Sequence, residues 1–259
     1  MSAIPALFVS HGAPTLPLED SPARHFISRL GAELLPPKAI LAISAHWETD
    51  KPAVSAAAQP ETIHDFHGFP EALYRLRYPA GSPELADRVA MLLGERGLTA
   101  DIDPSRGLDH GAWTPLLLMY PQAELPVAQL SVQPHRDAAH HWRLGEALRP
   151  LREEGVLILA SGSATHNLRE FRGNNAYSEP AAWARAFGEW LASTLEHGRT
   201  EDLRDYRARA PEAVRNHPTD EHLLPLFVAA GAGTPGERPK RIHSSYAYGV
   251  IGMDAYRFD

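Results

Sequence analysis

A chain of 259 residues, 44% of them hydrophobic, has ample material for a buried core and is not composed like a disordered segment. Its net charge of −7, from 32 acidic and 25 basic side chains, comes with no concentrated basic face, which argues against nucleic acid or an anionic membrane as a partner. It has no cysteine, so disulfides, thiolate metal sites, iron–sulfur clusters and cysteine nucleophiles are excluded, and any metal must be held by His, Asp or Glu.

In chain order, the start "MSAIPALFVSHG" lacks the charged and apolar parts of a signal peptide, and no later run approaches the length of a bilayer span, so a cytoplasmic location is expected. "ALFVSH" reads as a buried strand that stops at His11 and drops into a Gly/Pro turn. "SPARHFISRLGAEL" predicts a helix capped by Ser21, and "AILAISAHW" a second buried strand with His46 at its carboxyl end. In "HDFHGFP", His64 and His67 are interleaved with aromatics and suit a lid over an aromatic ligand. "SPELADRVAMLLGERG" predicts a helix with Ser82 as N-cap and Pro83 at its first position, closing near Gly97. In "GLDHGAWTPLLLMYP", His110 lies in a Gly-flanked loop before an apolar helix started by Pro115, with capping by Asp109 as the alternative, and Gly111 lets the backbone come close to a neighbour.

"PVAQLSV" and "GVLILASGS" are the third and fourth buried strands, and His166 follows the latter past a Gly/Ser turn. "DAAHHWRLGEALRPLREEG" and "PAAWARAFGEWLASTLEHG" predict helices, with His140 and His141 on the face of the first. "NNAYSEP" and "GAGTPGERPK" read as short loops. "PEAVRNHPTDEHLLPLFVAAGAG" reads as a helix packed on the domain, and the tail "RIHSSYAYGVIGMDAYRF" as a closing edge strand. Buried strands alternating with helices imply an α/β fold, a single domain over residues 1–259 with a mostly parallel central sheet covered by helices on both faces.

In such a sheet, ligands bind outside the carboxyl ends of the strands, and His11, His46 and His166 each arrive there from a separate strand. One of His217 and His222 joins them; they lie five residues apart with Pro218 between, and the spacing leaves the choice open. Solvated or helix-face roles are expected for His140 and His141 and for His25, His135, His197 and His243. Neutral imidazoles bind Fe(II), Zn(II), Mn(II) or Cu(II), and further histidines held beside a metal can move protons near neutral pH. The set supports two chemistries, hydrolysis by a metal-bound water and metal-centred oxygen activation.

The motifs "FVSHGAPTLPLE", "ISAHWE", "HDFHGFPEALYRLRYPA", "GLDHGAWTPLLLMYP", "SGSATHNLRE" and "HPTDEHLLPLFVAAGA", in this order, resemble the class III extradiol ring-cleavage dioxygenases of the LigB type, and within them the 4,5-DOPA dioxygenase group. The resemblance spans nearly the whole chain. It implies a non-haem divalent metal held by His11, His46 and His222, with His166 as the base that takes a hydroxyl proton from a catechol and His110 facing oxygen or substrate. It implies a small-molecule catechol and O2 as partners and a ring-opened semialdehyde as product. One branch of the superfamily uses a glutamate as third ligand where this chain has His222, with Glu221 adjacent. An all-His set suits Fe(II) for activity and also admits Zn(II). Substrate contacts are expected from His64 and His67 and from Tyr246 in "SSYAYG". The alternatives are a zinc-dependent hydrolase using the same histidines, and a binding protein that keeps the scaffold without the activity, against which the retention of all five histidines speaks.

Overall fold

The four aliphatic runs form the centre of the sheet. The computed structural model describes residues 3–171, 175 and 178–259; of the loop "NNAYSEP", Asn174, Ala176 and Tyr177 lie outside the described residues. The strands are β1 (Ala6–Ser10), β2 (Ala39–Glu48), β3 (Ala53–Ser55), β4 (Asp101–Asp103), β5 (Val127–Val132), β6 (Val156–Gly162), β7 (Lys240–His243), β8 (Tyr246–Ala247), β9 (Ile251–Gly252) and β10 (Ala255–Phe258). Eight of them form one sheet in the order β4-β3-β5-β2-β6-β1-β10-β7, while β8 and β9 make a separate two-stranded pair. β5, β2, β6 and β1 run parallel, and antiparallel pairings join β3 to β5 and β10 to β1 and β7.

The larger helices are α1 (Pro22–Glu33), α2 (Pro83–Gly94), α3 (His110–Met119), α4 (Ala138–Leu148), α5 (Ala182–Glu196) and α6 (Leu224–Ala232). Side chains alternate along each strand, so two cores form. Phe8, Leu41, Ile43 and Ile158 meet α2, α4, α5 and α6 on one face; Leu7, Val9, Ile40 and Leu159 meet α1 and α3 on the other. Ser21 and Ser82 cap their helices as expected, accepting from Arg24 N and Leu85 N at 3.3 Å. No helix among the described residues is long and apolar enough to cross a membrane.

Three expectations are corrected. The segment read as a single helix from residue 211 onward is broken: Ala213–Asn216 is one short turn, and α6 starts only at Leu224. His217, the residue before Pro218, has φ −127° and ψ 84°, because the proline ring disfavours helical backbone in its predecessor. The tail is not one edge strand, since β10 lies inside the sheet and β7 forms the edge. His140 and His141 are not on a solvated face. Both are buried with Gln133, whose backbone N donates to His141 Nε2 at 3.1 Å and whose Oε1 accepts from His140 Nε2 at 3.1 Å.

Candidate metal centre

The register of the parallel strands brings their carboxyl ends level. Ser10 of β1 pairs with Gly162 of β6, and Ser44 of β2 with Ser161 of β6. His11 follows β1 directly. His46 lies where β2 leaves its ladder: Ile43 pairs with Leu130 and Glu48 with Val132, so five steps of β2 are set against two of β5. Such a bulge turns a side chain out of the pleat toward a site. His222 comes from the 217–223 turn, which is stitched to the end of β6 by a hydrogen bond from Ser163 N to His222 O at 2.8 Å. A Cβ on Gly162 would lie 2.1 Å from that same carbonyl oxygen, so glycine is required for the turn to come this close.

Three ring nitrogens converge. His46 Nε2 lies 3.1 Å from His11 Nε2 and 3.3 Å from His222 Nε2, and His11, His46 and His222 offer donor atoms all within 4.8 Å of one another. Burial, reinforced by neighbouring imidazoles, lowers His46 to about 3 and holds His11 and His222 well below the ordinary histidine range. The rings are therefore neutral at pH 7, with one nitrogen each left as a lone pair.

Which nitrogen is bare follows from the partners of Nδ1. Ser161 Oγ donates to Gly111 O at 2.5 Å and so accepts from His11 Nδ1, 3.0 Å away. His222 Nδ1 donates to Glu221 Oε1 at 2.9 Å, and His46 Nδ1 faces Asp65 Oδ2 at 3.5 Å. All three Nε2 lone pairs then point at one another, which is repulsive unless a cation lies among them. This donor set fits a divalent metal with open positions, and the oxygens behind it are the partners that orient ligating histidines.

His110, the first residue of α3, stands beside the trio, its ring 3.9 Å from that of His46 and its Nδ1 donating to Asp65 Oδ1 at 2.8 Å. Partial burial alone would raise the Asp65 carboxyl; hydrogen bonds from the His110 ring and backbone overcome this and hold it down to about 2. The helix starts at His110 and not, as expected, at Pro115, because Asp109 caps it, accepting from Ala112 N at 3.2 Å, from Ser44 Oγ at 2.6 Å and from Gln129 Nε2 at 2.5 Å. His166 stacks on His222 with ring centres 3.5 Å apart and planes 10° from parallel. An imidazole lone pair lies in the ring plane, so the two stacked rings direct theirs along near-parallel planes, although His166, Glu221 and His222 also offer donor atoms within 4.8 Å of one another. Burial first, with smaller effects from neighbouring histidines, lowers His166 to about 4 against the opposing charge of Glu221.

The remaining candidates fall elsewhere. His217 is fully buried beside Phe187, its Nε2 donating to Ala164 O at 3.0 Å. His64 packs among Phe66, Tyr74 and Trp113, and His67 is exposed. Tyr246 turns its hydroxyl to Ala184 O of α5 at 3.4 Å. From "HDFHGFP" it is Asp65 and Phe66, with its ring 5.7 Å from His110, that reach the cluster. Phe66 is the aromatic expected between His64 and His67; Asp65 and Ser161 are not among the residues expected from sequence, and an acidic residue placed between two histidines is the signal that could have found Asp65.

Residues 5–258 match the family described as the catalytic LigB subunit of aromatic ring-opening dioxygenase. The 4,5-DOPA dioxygenase extradiol of Beta vulgaris is 47% identical over 257 residues, covering 97% of this chain and 95% of that one. Its namesake in Escherichia coli strain K12 is 42% identical over 233 residues, covering 88% and 85%. The crystal structure of an uncharacterized protein from Escherichia coli K12 superposes with a TM-score of 0.80 at 32% identity, covering 99% of this chain and all of the other.

Proposed function

The chain belongs to the LigB family of aromatic ring-opening dioxygenases, and from that premise we propose that it opens the ring of a catechol with a DOPA-like side chain, using Fe(II) held by His11, His46 and His222. The observation that carries the reading is the trio of Nε2 atoms, that of His46 lying 3.1 Å from His11 and 3.3 Å from His222, with an oxygen facing each ring's Nδ1. When bound there, a divalent metal supplies the positive charge that draws both catechol oxygens to the site and the redox-active centre that insertion of O2 needs.

The chain's own groups do the rest. His166, neutral at pH 7 and stacked on the face of the His222 ring, accepts the proton from a catechol hydroxyl. His110 keeps its Nδ1 proton on Asp65, which leaves Nε2 to face substrate or oxygen. Phe66, backed by His64, Tyr74 and Trp113, forms an apolar wall beside His110 that suits the face of an aromatic ring. For the ring's side chain the reading uses a cavity of about 350 Å³ that begins at Gly12, next to His11, and includes Tyr246, Tyr248 and Glu19. Glu19, held by the hydroxyls of Thr15 and Tyr248, offers a carboxylate to an ammonium group. His67, exposed on the 64–70 loop, is assigned to the outer rim of the same lid.

The test is oxygen uptake. Protein loaded with Fe(II) without air is mixed with DOPA, with catechol and with protocatechuate, and air is then admitted. The reading expects one O2 consumed per ring lost, yellow semialdehyde, and the highest kcat/KM for DOPA. No uptake with any catechol would overturn it, and hydrolytic turnover by the zinc-loaded protein would favour the hydrolase.

A further inference from the structure

We propose that Asp65 is a positioning residue that sets the tautomers of His46 and His110 together, and so decides whether the metal site can form. The inference rests on the assignment of His46 as a ligand. Asp65 Oδ1 accepts from the His110 backbone N at 3.1 Å and from His110 Nδ1 at 2.8 Å, while Oδ2 lies 3.5 Å from His46 Nδ1. One carboxylate thus spans a bulge of β2 and the start of α3.

A carboxylate only accepts, so both Nδ1 atoms facing it keep their protons and both Nε2 atoms are left as lone pairs. The loop that carries Asp65 is itself fixed. Leu108 N donates to Glu61 O at 2.8 Å, Ile63 N to Leu108 O at 2.8 Å, and Trp113 Nε1 to Ile63 O at 2.9 Å. These bonds hold residues 61–63, just before Asp65, against the start of α3.

An amide in the same place acts differently. In Asp65→Asn the oxygen stays on the two His110 donors, and the NH2 group is then turned toward His46 Nδ1. It donates there, which moves the His46 proton to Nε2 and blocks that nitrogen as a ligand. Asp65→Ala leaves room for water, which lets His46 take either tautomer. A purely structural role for Asp65 makes the isosteric Asn the milder change, whereas tautomer control makes it the harsher one.

The experiment measures Zn(II) affinity by competition with a chelator for the wild type, Asp65→Asn and Asp65→Ala, with circular dichroism as the check on folding. We expect Asp65→Asn to bind at least tenfold more weakly than the wild type, within the ~10–100-fold range usual for such outer partners, and more weakly than Asp65→Ala. Equal or milder loss in Asp65→Asn, or wild-type affinity in both, overturns the proposal. Should either variant fail to fold, ¹⁵N spectra of the zinc-loaded wild type decide instead: a proton on His110 Nδ1 supports the proposal, and one on Nε2 overturns it. No catechol or O2 enters these measurements, so their outcome is separate from that of the ring-opening assay.

Discussion

An alanine at position 111 would carry its Cβ 2.3 Å from Ser44 Oγ, 2.9 Å from His46 Cδ2 and 3.3 Å from His11 Cε1. Those contacts are shorter than van der Waals separations, and neither imidazole can retreat without leaving its Nδ1 partner. Gly111→Ala is therefore expected to lose about 1–3 kcal/mol of stability, the usual cost of overpacking, and to weaken metal binding at least tenfold. Thermal melting and zinc titration check it, and unchanged zinc affinity would mean that the start of α3 stands farther from the ligands than described. The close approach expected of Gly111 from sequence is thus a contact with the rings of His11 and His46.

At the scale of elements, the site is made where regular structure stops: the bulge of β2 delivers His46 and the turn between Asn216 and Leu224 delivers His222. His217 ends the short helix before that turn and points into the core behind it, so its role is to tie the turn to β6. His217→Ala removes the donor to Ala164 O and leaves a cavity beside Phe187. It should cost about 2–4 kcal/mol by lost packing and an unpaired carbonyl while metal content stays near the wild-type value. Metal analysis beside a melting curve checks both halves. The four buried strands and the strand-end histidines were legible because aliphatic runs ending in turn residues have one good solution in an α/β chain. The bulge and the broken helix were not: a bulge is set by pairing with β5, which no local pattern records, and Pro218 signals a break between His217 and His222 without showing how far the helix start recedes. The three-residue strands β3 and β4 are too short to carry a periodic pattern; β3 forms by pairing with β5, and β4 by pairing with β3.

Across the whole molecule, burial of imidazoles gives a pH dependence of known sign. His46 is held to about 3 and His140, His141, His166 and His217 each to about 4, with burial the largest cause for every one. In the unfolded chain they take protons near 6.5. As pH falls from there toward 4, the unfolded state therefore binds protons that the folded state refuses, and stability is lost. The melting temperature of metal-free protein should be level above about pH 7.5 and decline below about 6.5, ahead of carboxylate titration; a flat profile down to pH 4.5 would contradict this. The LigB-type resemblance read from ordered motifs proved correct for family and architecture, since motif order samples the whole chain. The surroundings of the histidine cluster were less legible, because loops far apart in sequence assemble them: of "HDFHGFP", Asp65 and Phe66 stand against His110, while His64 packs behind Phe66. The ligand assignment itself is tested most directly by metal content per chain in His222→Ala and His166→Gln, purified and reconstituted side by side. The account predicts that His222→Ala retains almost none, while His166→Gln retains about one equivalent and loses roughly 10²–10⁴-fold in turnover, the usual worth of a positioned base. Equal metal loss in both variants would make His166 a ligand and contradict the account.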